Sequence, residues 1–447
     1  MTLEALPLPG LALGCRMSAA SRLHSFPGQL ALPLAGPGEH YDLLHSGQRG
    51  VVIHWSQAKT GHQWTKLRPQ DPRIPELFQV DQGKEGRFFT VNEFDGWRYI
   101  RLLRSLRALY VDLDDQEDLY AVLDALQDQK MPGPSLVIWS GTGMHLYWLL
   151  EPLPPKTLPV WQRCQDALIA ALKPLGADAA AKDCTRLLRI AGTRNKGEEV
   201  HGLVLDGHRW SLRQIAFEIL GTEGKGKKPE VRDLRARRAR ADREIQGSIY
   251  ARWHLVYRDL LAISNHHQHK IPEGHRDKWL FLCGVALSWF THPQGIEDEI
   301  LSLGRMHTDL VEPEISAAIK PPLERALLAA NGQKIEWQGQ SIDPRYRFRR
   351  QTLYDWLDGV IPDSLLPKLR AIIPDNTAEI RTKQRQTARN RATEGRYATN
   401  YTGAGVRASN AEKRAQAQAM RAQGQTFRAI AAELGVSHPT VIKWCGN

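Results

Sequence analysis

The sequence predicts a multidomain α+β protein: a mixed or antiparallel sheet with flanking helices, then all-helical domains, then a helix-turn-helix. Three observations predict it. Short β-rich runs alternate with amphipathic stretches between about Tyr41 and Gly221. From 249 to 380 the apolar residues recur at helical spacing. Residues 424–444 place two short apolar helices on either side of a glycine.

Each element follows from local pattern. Val51–Trp55, Phe88–Val91 and Leu109–Leu113 are short β-branched and aromatic runs, and read as strands. Asp118–Gln129 reads as a helix with Leu119, Val122, Leu123 and Leu126 on one stripe, ended by Met131-Pro132-Gly133-Pro134. Two strands follow, Ser135–Trp139 and His145–Leu150, joined by a glycine-rich turn, and Leu158–Leu175 reads as a long helix. The expected organisation is a disordered leader (1–37), an α+β domain (38–222), a basic linker (223–248), a helical domain (249–333), a small helical unit (334–380), a basic flexible linker (381–410) and a helix-turn-helix (411–447).

Composition narrows the class of function. Of the net charge of +11, the segment from Arg381 to Asn447 holds +9, with 12 Lys and Arg against 3 Asp and Glu. A basic tail on a near-neutral body points to a polyanionic partner, most simply nucleic acid. The five cysteines, Cys15, Cys164, Cys184, Cys283 and Cys445, form no CxxC pair, which argues against a zinc site and a disulfide framework. No apolar stretch approaches the roughly 20 residues of a membrane span. The N-terminus has Glu4 where a signal peptide carries a base, so a cytoplasmic protein is expected.

Three elements carry chemistry. Asp112 and Asp114 alternate on a strand and so share a face, while Val111 and Leu113 point to the core. Alone, such a pair reads as solvated acids at a strand end. Two carboxylates held close on a rigid strand also suit a hard divalent cation, Mg²⁺ or Mn²⁺, and a metal pair held so can serve an in-line phosphoryl displacement. The second element is Ser140-Gly141-Thr142-Gly143-Met144-His145, a turn whose glycines allow backbone N–H groups to approach an anion. The third runs from Gly176 through Asp178 and Asp183 to Arg186, Arg189, Asn195 and Lys196, another acid followed by phosphate-seeking groups.

In this order the three elements resemble the archaeo-eukaryotic primase superfamily, of the kind found in plasmid, phage and integrated-element replication. The resemblance covers roughly residues 40–210. It rests on the strand DxD, the Ser-Gly-x-Gly-x-His turn, a third acid, and Arg186-Leu187-Leu188-Arg189-Ile190-Ala191-Gly192-Thr193-Arg194-Asn195-Lys196. Ala191 stands where the family often has Pro, and Lys196 falls one place early. Phe88–Phe94 resembles the family's substrate-side strand. The resemblance implies a two-metal site at Asp112 and Asp114 and catalytic roles for these, His145 and Asp178. It implies nucleotide contacts from Ser140, Gly141, Gly143, His145, Arg186, Arg189, Asn195 and Lys196. The third metal ligand is Asp178, which follows small residues as the family's acid often does, or Asp183, which sits closer to the arginines. Gly274-His275-Arg276 at a helix entry looks like the helical domain that follows such cores.

Gly424–Trp444 matches a helix-turn-helix. Thr426 caps the first helix, Ile430, Ala431 and Leu434 face inward, Gly435 takes the turn, and Ser437 caps the recognition helix with Pro439 in its first turn. Val441, Ile442 and Trp444 give that helix its buried contacts, and Ser437, His438, Thr440 and Lys443 are the residues expected at DNA. The expected function is a primase or primase-polymerase joining nucleoside triphosphates on a single-stranded DNA template, recruited to duplex origin DNA. The sequence has no GxxxxGK[ST] loop, so helicase activity is assigned to a separate protein. The alternative is a non-catalytic initiator or DNA-binding regulator. A nicking relaxase wants a His-hydrophobe-His metal pair and a tyrosine nucleophile, and the sequence offers no convincing one.

Overall fold

The computed structural model describes residues 32–34, 36–58, 61–221, 248–397 and 403–446. The expected leader up to residue 31 and the basic linker at 223–247 lie outside the described residues. The chain divides into two compact units, Met1–Ile372 and Ile373–Asn447.

The first unit opens with β1 (Leu32–Pro33), α1 (Pro37–His45), β2 (Val52–Ala58), β3 (Gly61–Leu67), α2 (Ile74–Asp81), β4 (Arg87–Thr90), β5 (Glu93–Phe94) and β6 (Leu103–Asp114). Next come α3 (Leu119–Asp128), β7 (Leu136–Trp139), β8 (Gly143–Leu153) and α4 (Leu158–Leu172). After these the chain forms β9 (Leu187–Arg189), β10 (Arg194–Asn195), β11 (Glu198–Glu199), β12 (His201–Val204) and α5 (Leu212–Leu220). Two larger sheets result, a six-stranded one in the order β1-β12-β7-β8-β6-β5 and a four-stranded one in the order β3-β2-β4-β9, beside a two-stranded β10–β11 ladder. Every pairing between neighbours in both is antiparallel, so of the two expected arrangements the antiparallel one is found. β1 pairs with β12, so residues 32–33 are part of the sheet and not of a disordered leader. The local sequence Leu32-Pro33 carries no strand signal of its own; a partner strand supplies it.

The core lies where β6 and β8 run side by side. Leu109, Tyr110, Val111, Leu146, Tyr147 and Trp148 are all buried, which means that both faces of the sheet are covered there. The cover ends at residue 112, and the two acids emerge at that edge. α3 forms as its stripe requires, with the carboxylate of Asp118 accepting the Tyr120 and Ala121 N–H groups.

The helical part of this unit comprises α6 (Ile249–His266), α7 (Arg276–Leu287), α8 (Pro293–His307) and α9 (Glu312–Ala330). Trp253, Trp279 and Trp289 are fully buried among them. Gly274 and His275 do precede a helix, and Arg276 at its start pairs with Asp309 at 2.6 Å. The buried Glu299 on α8 joins this part to the sheet part: it accepts the Ile100 N–H at 2.7 Å, the Arg101 guanidinium at 2.9 Å and the Tyr257 hydroxyl at 2.8 Å. The small helical unit expected at 334–380 begins instead with a hairpin, β13 (Ile335–Trp337) and β14 (Gln340–Ile342), before α10 (Arg350–Trp356). Gln338 and Gly339 both take positive φ, the two-residue turn that sets hairpin twist.

The second unit contains α11 (Asp375–Tyr397), α12 (Gly403–Ala422), α13 (Phe427–Leu434) and α14 (His438–Cys445). The stretch 381–410, expected to be a flexible linker, is helical at 381–397 and 403–410. Polarity suggested a linker, but Arg, Lys, Gln and Ala are strong helix formers and need no apolar stripe to favour the helix. Among the described residues no helix is long and apolar enough to cross a membrane.

Candidate active site

Asp112 and Asp114 stand at the C-terminal end of β6. In the ladder with β8, Asp112 lies opposite His145, Tyr110 opposite Tyr147 and Asp114 opposite Gly143. Directly paired residues share a face, so Tyr110, Asp112, Asp114, His145 and Tyr147 form one patch, as the alternation predicted for the acids. His145 Nε2 is 3.4 Å from Asp112 Oδ1.

The other edge of β6 explains how the third acid reaches this patch. β5 pairs with β6 only near Leu103 and Ser105. Beyond that, the outward N–H and C=O groups of the even-numbered residues need partners. Trp161 Nε1 donates to Ala108 O at 2.9 Å, and the Gln165 amide closes on both backbone groups of Tyr110. The 176–178 segment completes the edge: Asp178 N donates to Asp112 O at 2.8 Å, and Asp114 N donates to Gly176 O at 3.2 Å. Gln165 is absent from the sequence reading. Its only signal there is a polar residue on the buried stripe of α4.

Glycine is needed where these backbones meet. A Cβ on Gly143 would lie 2.1 Å from Leu113 O, a backbone atom that cannot move aside. Gly143→Ala is therefore expected to destabilise the unit by about 1–3 kcal/mol and to spread the β6–β8 pair beneath Asp114. Denaturant unfolding checks this, and an unchanged midpoint would refute it.

Of the two candidates for the third acid, Asp178 is half-buried, shares the β6 edge with Asp112, and pairs with Arg186 at 3.2 Å. Asp183 is buried, and its Oδ1 is taken up by the Thr185 N–H at 2.9 Å and by the Thr185 hydroxyl. Its backbone carbonyl accepts from the Tyr110 hydroxyl. The structure thus places Asp178 beside the pair and ties Asp183 into the local turn.

The remaining predicted residues fall into two groups. Ser140 opens the tight turn, its N–H donating to Gly143 O at 2.8 Å, and Asn195 Nδ2 donates to Ser140 O at 2.6 Å. Gly141 takes φ +98°, with Asn195 packed against it. Asn195 is therefore a buried latch on the turn. Lys196 sits with Gly197 in the two-residue turn between β10 and β11, its side chain exposed. Arg189 is half-buried, lies 4.5 Å from the Phe88 ring, and leaves its Nε without a protein partner.

The electrostatics follow from this packing. Burial holds the His145 imidazole below its ordinary value, and Arg189 and Arg186 add to this; Asp112 opposes it. Its Nδ1 is buried without a partner. Asp114 titrates above the ordinary carboxylate value, first through desolvation and then through the like charges of Asp112, Asp178 and Asp115. A carboxyl whose pKa is raised by folding binds its proton more tightly in the native state. Its contribution to stability is present at low pH and is lost as the pH rises through the raised value. Asp114→Asn is thus expected to melt no lower than wild type at neutral pH without metal, and to show less loss of stability between acid and neutral pH. A lower melting temperature for the variant at pH 7 would contradict this.

Among the described residues, no group of three or more His, Cys, Asp or Glu is arranged to hold a metal by itself. The repelling Asp112 and Asp114 carboxylates still suit Mg²⁺, which binds through one or two carboxylates and takes its other oxygens from substrate phosphate and water. Among the described residues, Cys164, Cys184, Cys283 and Cys445 are free thiols.

In the second unit, the three C-terminal helices pack on Ala417, Ile430, Ala431 and Val441, with Phe427, Leu434, Val436 and Trp444 around them. Thr426 Oγ1 accepts the Ala429 N–H at 3.3 Å, and Gly435 takes φ +61° in the turn. Two expectations are corrected. Ser437 occupies the cap position, but its hydroxyl bonds to Thr440 Oγ1 at 2.7 Å and not to a backbone N–H. Ile442 is 43% exposed, because this eight-residue helix, about two turns long, buries only its Val441 side. His438 and Lys443 are exposed.

Comparison with known proteins bears on both units. Residues 409–444 match the model of the Homeodomain-like domain. A replication protein of Clostridium perfringens is 28% identical over 337 residues, covering 71% of this chain and 75% of that protein. Among solved structures, the AEP domain of the cyanophage S-2L primase-polymerase (PrimPol) aligns with a TM-score of 0.32 and 20% identity, covering 40% of this chain and 94% of that one. Primase RepB' aligns with a TM-score of 0.24 and 13% identity, covering 66% of this chain and 98% of that one.

Proposed function

We propose that this protein is a primase or primase-polymerase, a nucleotidyltransferase that joins NTPs or dNTPs on a single-stranded DNA template with Mg²⁺ or Mn²⁺. The observation that carries the reading is the convergence of Asp112, Asp114 and Asp178 on one strand end, with His145 directly across the ladder. The likeness to a replication protein over 71% of the chain supports it.

In the proposed reaction a 3′-hydroxyl attacks the α-phosphate of a bound triphosphate, the bond to the β-phosphate breaks, and pyrophosphate leaves. Asp112 and Asp114, with Asp178 beside them, would hold the divalent ions, whose positive charge would stabilise the charge that develops on the reacting phosphate. His145, kept neutral by burial, offers a hydrogen bond to the triphosphate. Ser140, Gly141 and Gly143 present the turn on which the phosphates rest. Arg186 and Arg189 supply positive charge, and Asn195 fixes the turn from behind. Lys196, on an exposed turn, reaches a phosphate only from the rim. The helix-turn-helix, through Ser437, His438, Thr440 and Lys443, brings the enzyme to duplex origin DNA. Strand opening belongs to a separate helicase.

Incubation of the full chain with circular single-stranded DNA, labelled nucleotides and Mg²⁺ or Mn²⁺ tests the reading. Templated products are expected. No product from either nucleotide set with either metal overturns it and favours a non-catalytic initiator.

A further inference from the structure

The outer face of the four-stranded sheet carries a row of side chains of which the proposed chemistry uses only the last, Arg189. Trp64 on β3 lies opposite Trp55 on β2, Trp55 lies opposite Phe88 on β4, and Phe88 lies opposite Arg189 on β9. One register line therefore crosses all four strands. The ring centroids are 6.2 Å apart for Trp64 and Trp55, and 5.0 Å for Trp55 and Phe88, and Arg189 sits 4.5 Å over the Phe88 ring. The opposite face of the same strands, with His54, Phe89 and Leu188, is buried in the core. The row's own face is open: Trp64 is 40% exposed, and Trp55, Phe88 and Arg189 are half-buried.

Cross-strand aromatic pairing also stabilises sheets, by about 0.2–1 kcal/mol per pair. Two further observations point to a ligand. Cations gather on this face: Arg98 lies 5.5 Å over the Trp64 ring, and Lys66 lies 5.7 Å over Trp97, itself 5.2 Å from Trp64. The nearby acids are engaged, Asp298 at 4.0 Å from Arg98 and Asp183 with Thr185. The row also borders a cleft of about 300 Å³ lined by Trp55, Phe88, Arg98, Arg186 and the start of α8 at Gln294 and Gly295. Its last member, Arg189, is close enough to His145 and Asp112 to act on both electrostatically.

We propose that the row Trp64–Trp55–Phe88–Arg189 is a stacking platform for single-stranded DNA that leads the strand into the Asp112 centre. Aromatic faces with interleaved cations suit a single strand, because every base has a π-face and every linkage a phosphate. A duplex hides its bases and gains nothing from the rings. The platform deepens the proposed function and rests on it for the identity of the strand as template.

The test uses the full chain and a labelled thymidine oligonucleotide of about twelve residues, matching the span of such platforms. Excess unlabelled duplex is present to occupy the helix-turn-helix. Trp64→Leu is expected to weaken oligonucleotide binding about tenfold, and Trp55→Leu combined with it further, since each lost stack removes on the order of 1–3 kcal/mol. Trp64→Phe restores most of the affinity, which a loss of packing alone would not predict. Duplex binding stays unchanged. Affinity within twofold of wild type for folded Trp64→Leu, checked by its melting temperature, overturns the platform. If the double variant does not fold, Trp64→Leu and Trp64→Phe decide alone, because Trp64 is the most exposed of the rings. A wild-type chain that binds the oligonucleotide through the row but makes no product leaves the platform standing and overturns the proposed function. A chain that makes product while folded Trp64→Leu binds normally does the reverse.

Discussion

Asp112→Ala in the full chain is expected to reduce templated nucleotide incorporation by at least about a thousandfold, because losing a metal-holding carboxylate removes several kcal/mol of transition-state stabilisation. The fold should survive. The neighbours that anchor the strand, Val111 and Leu113, are fully buried, and the carbonyl of residue 112, which accepts the Asp178 N–H, is backbone. The measurement is extension on a single-stranded circle in Mg²⁺ and Mn²⁺, with the melting temperature as the control for folding. Incorporation at the wild-type rate by Asp112→Ala would remove these acids from the chemistry.

A chain ending after Pro374 is expected to keep metal-dependent synthesis on oligonucleotides supplied in excess, while its affinity for duplex DNA falls by roughly a thousandfold, the usual gap between specific and non-specific binding. The residues from 381 onward carry +9 of the net +11, so the affinity that remains should also depend less steeply on salt. The isolated segment 373–447 should bind duplex DNA without catalysis. Unchanged duplex affinity and salt slope in the shortened chain would refute this division of labour, as would a tail with no DNA affinity at low salt. The cut must not fall at Ala330. The buried Asp259 carboxylate accepts the backbone N–H groups of Arg370, Ala371 and Ile372, and Trp289 Nε1 donates to Tyr346 O at 3.1 Å. Ending the chain at 330 strands these buried groups, at a cost on the order of 3 kcal/mol for the carboxylate alone.

Local pattern alone was enough to read the core strands, though not which way they pair, the amphipathic helix from Asp118, and the helix-turn-helix with its Thr426 cap and Gly435 turn. Each of these depends on periodicity or on hydrogen bonds spanning a few residues, which the sequence records directly. The shared face of Asp112 and Asp114 was legible for the same reason, since alternation along a strand needs no knowledge of its neighbours.

Pairing at long range was not legible. The residues flanking Asp178 and Asp183 only weakly indicate which of the two lies beside the pair, with a slight preference for Asp178. That was decided by the unfilled edge of β6, which accepts the 176–178 backbone, and by Thr185, which occupies the Asp183 carboxylate. The row's four members are spread over 135 positions of sequence, from Trp55 to Arg189, and the row exists only because four strands align in one register. Polar composition made 381–410 look like a linker, whereas helix propensity and not hydrophobicity governs it. The sequence by itself thus determined the elements and the chemistry available to them. The tertiary structure alone decided which acids meet and which rings line up, because hydrogen-bond satisfaction across strands depends on partners far apart in the chain.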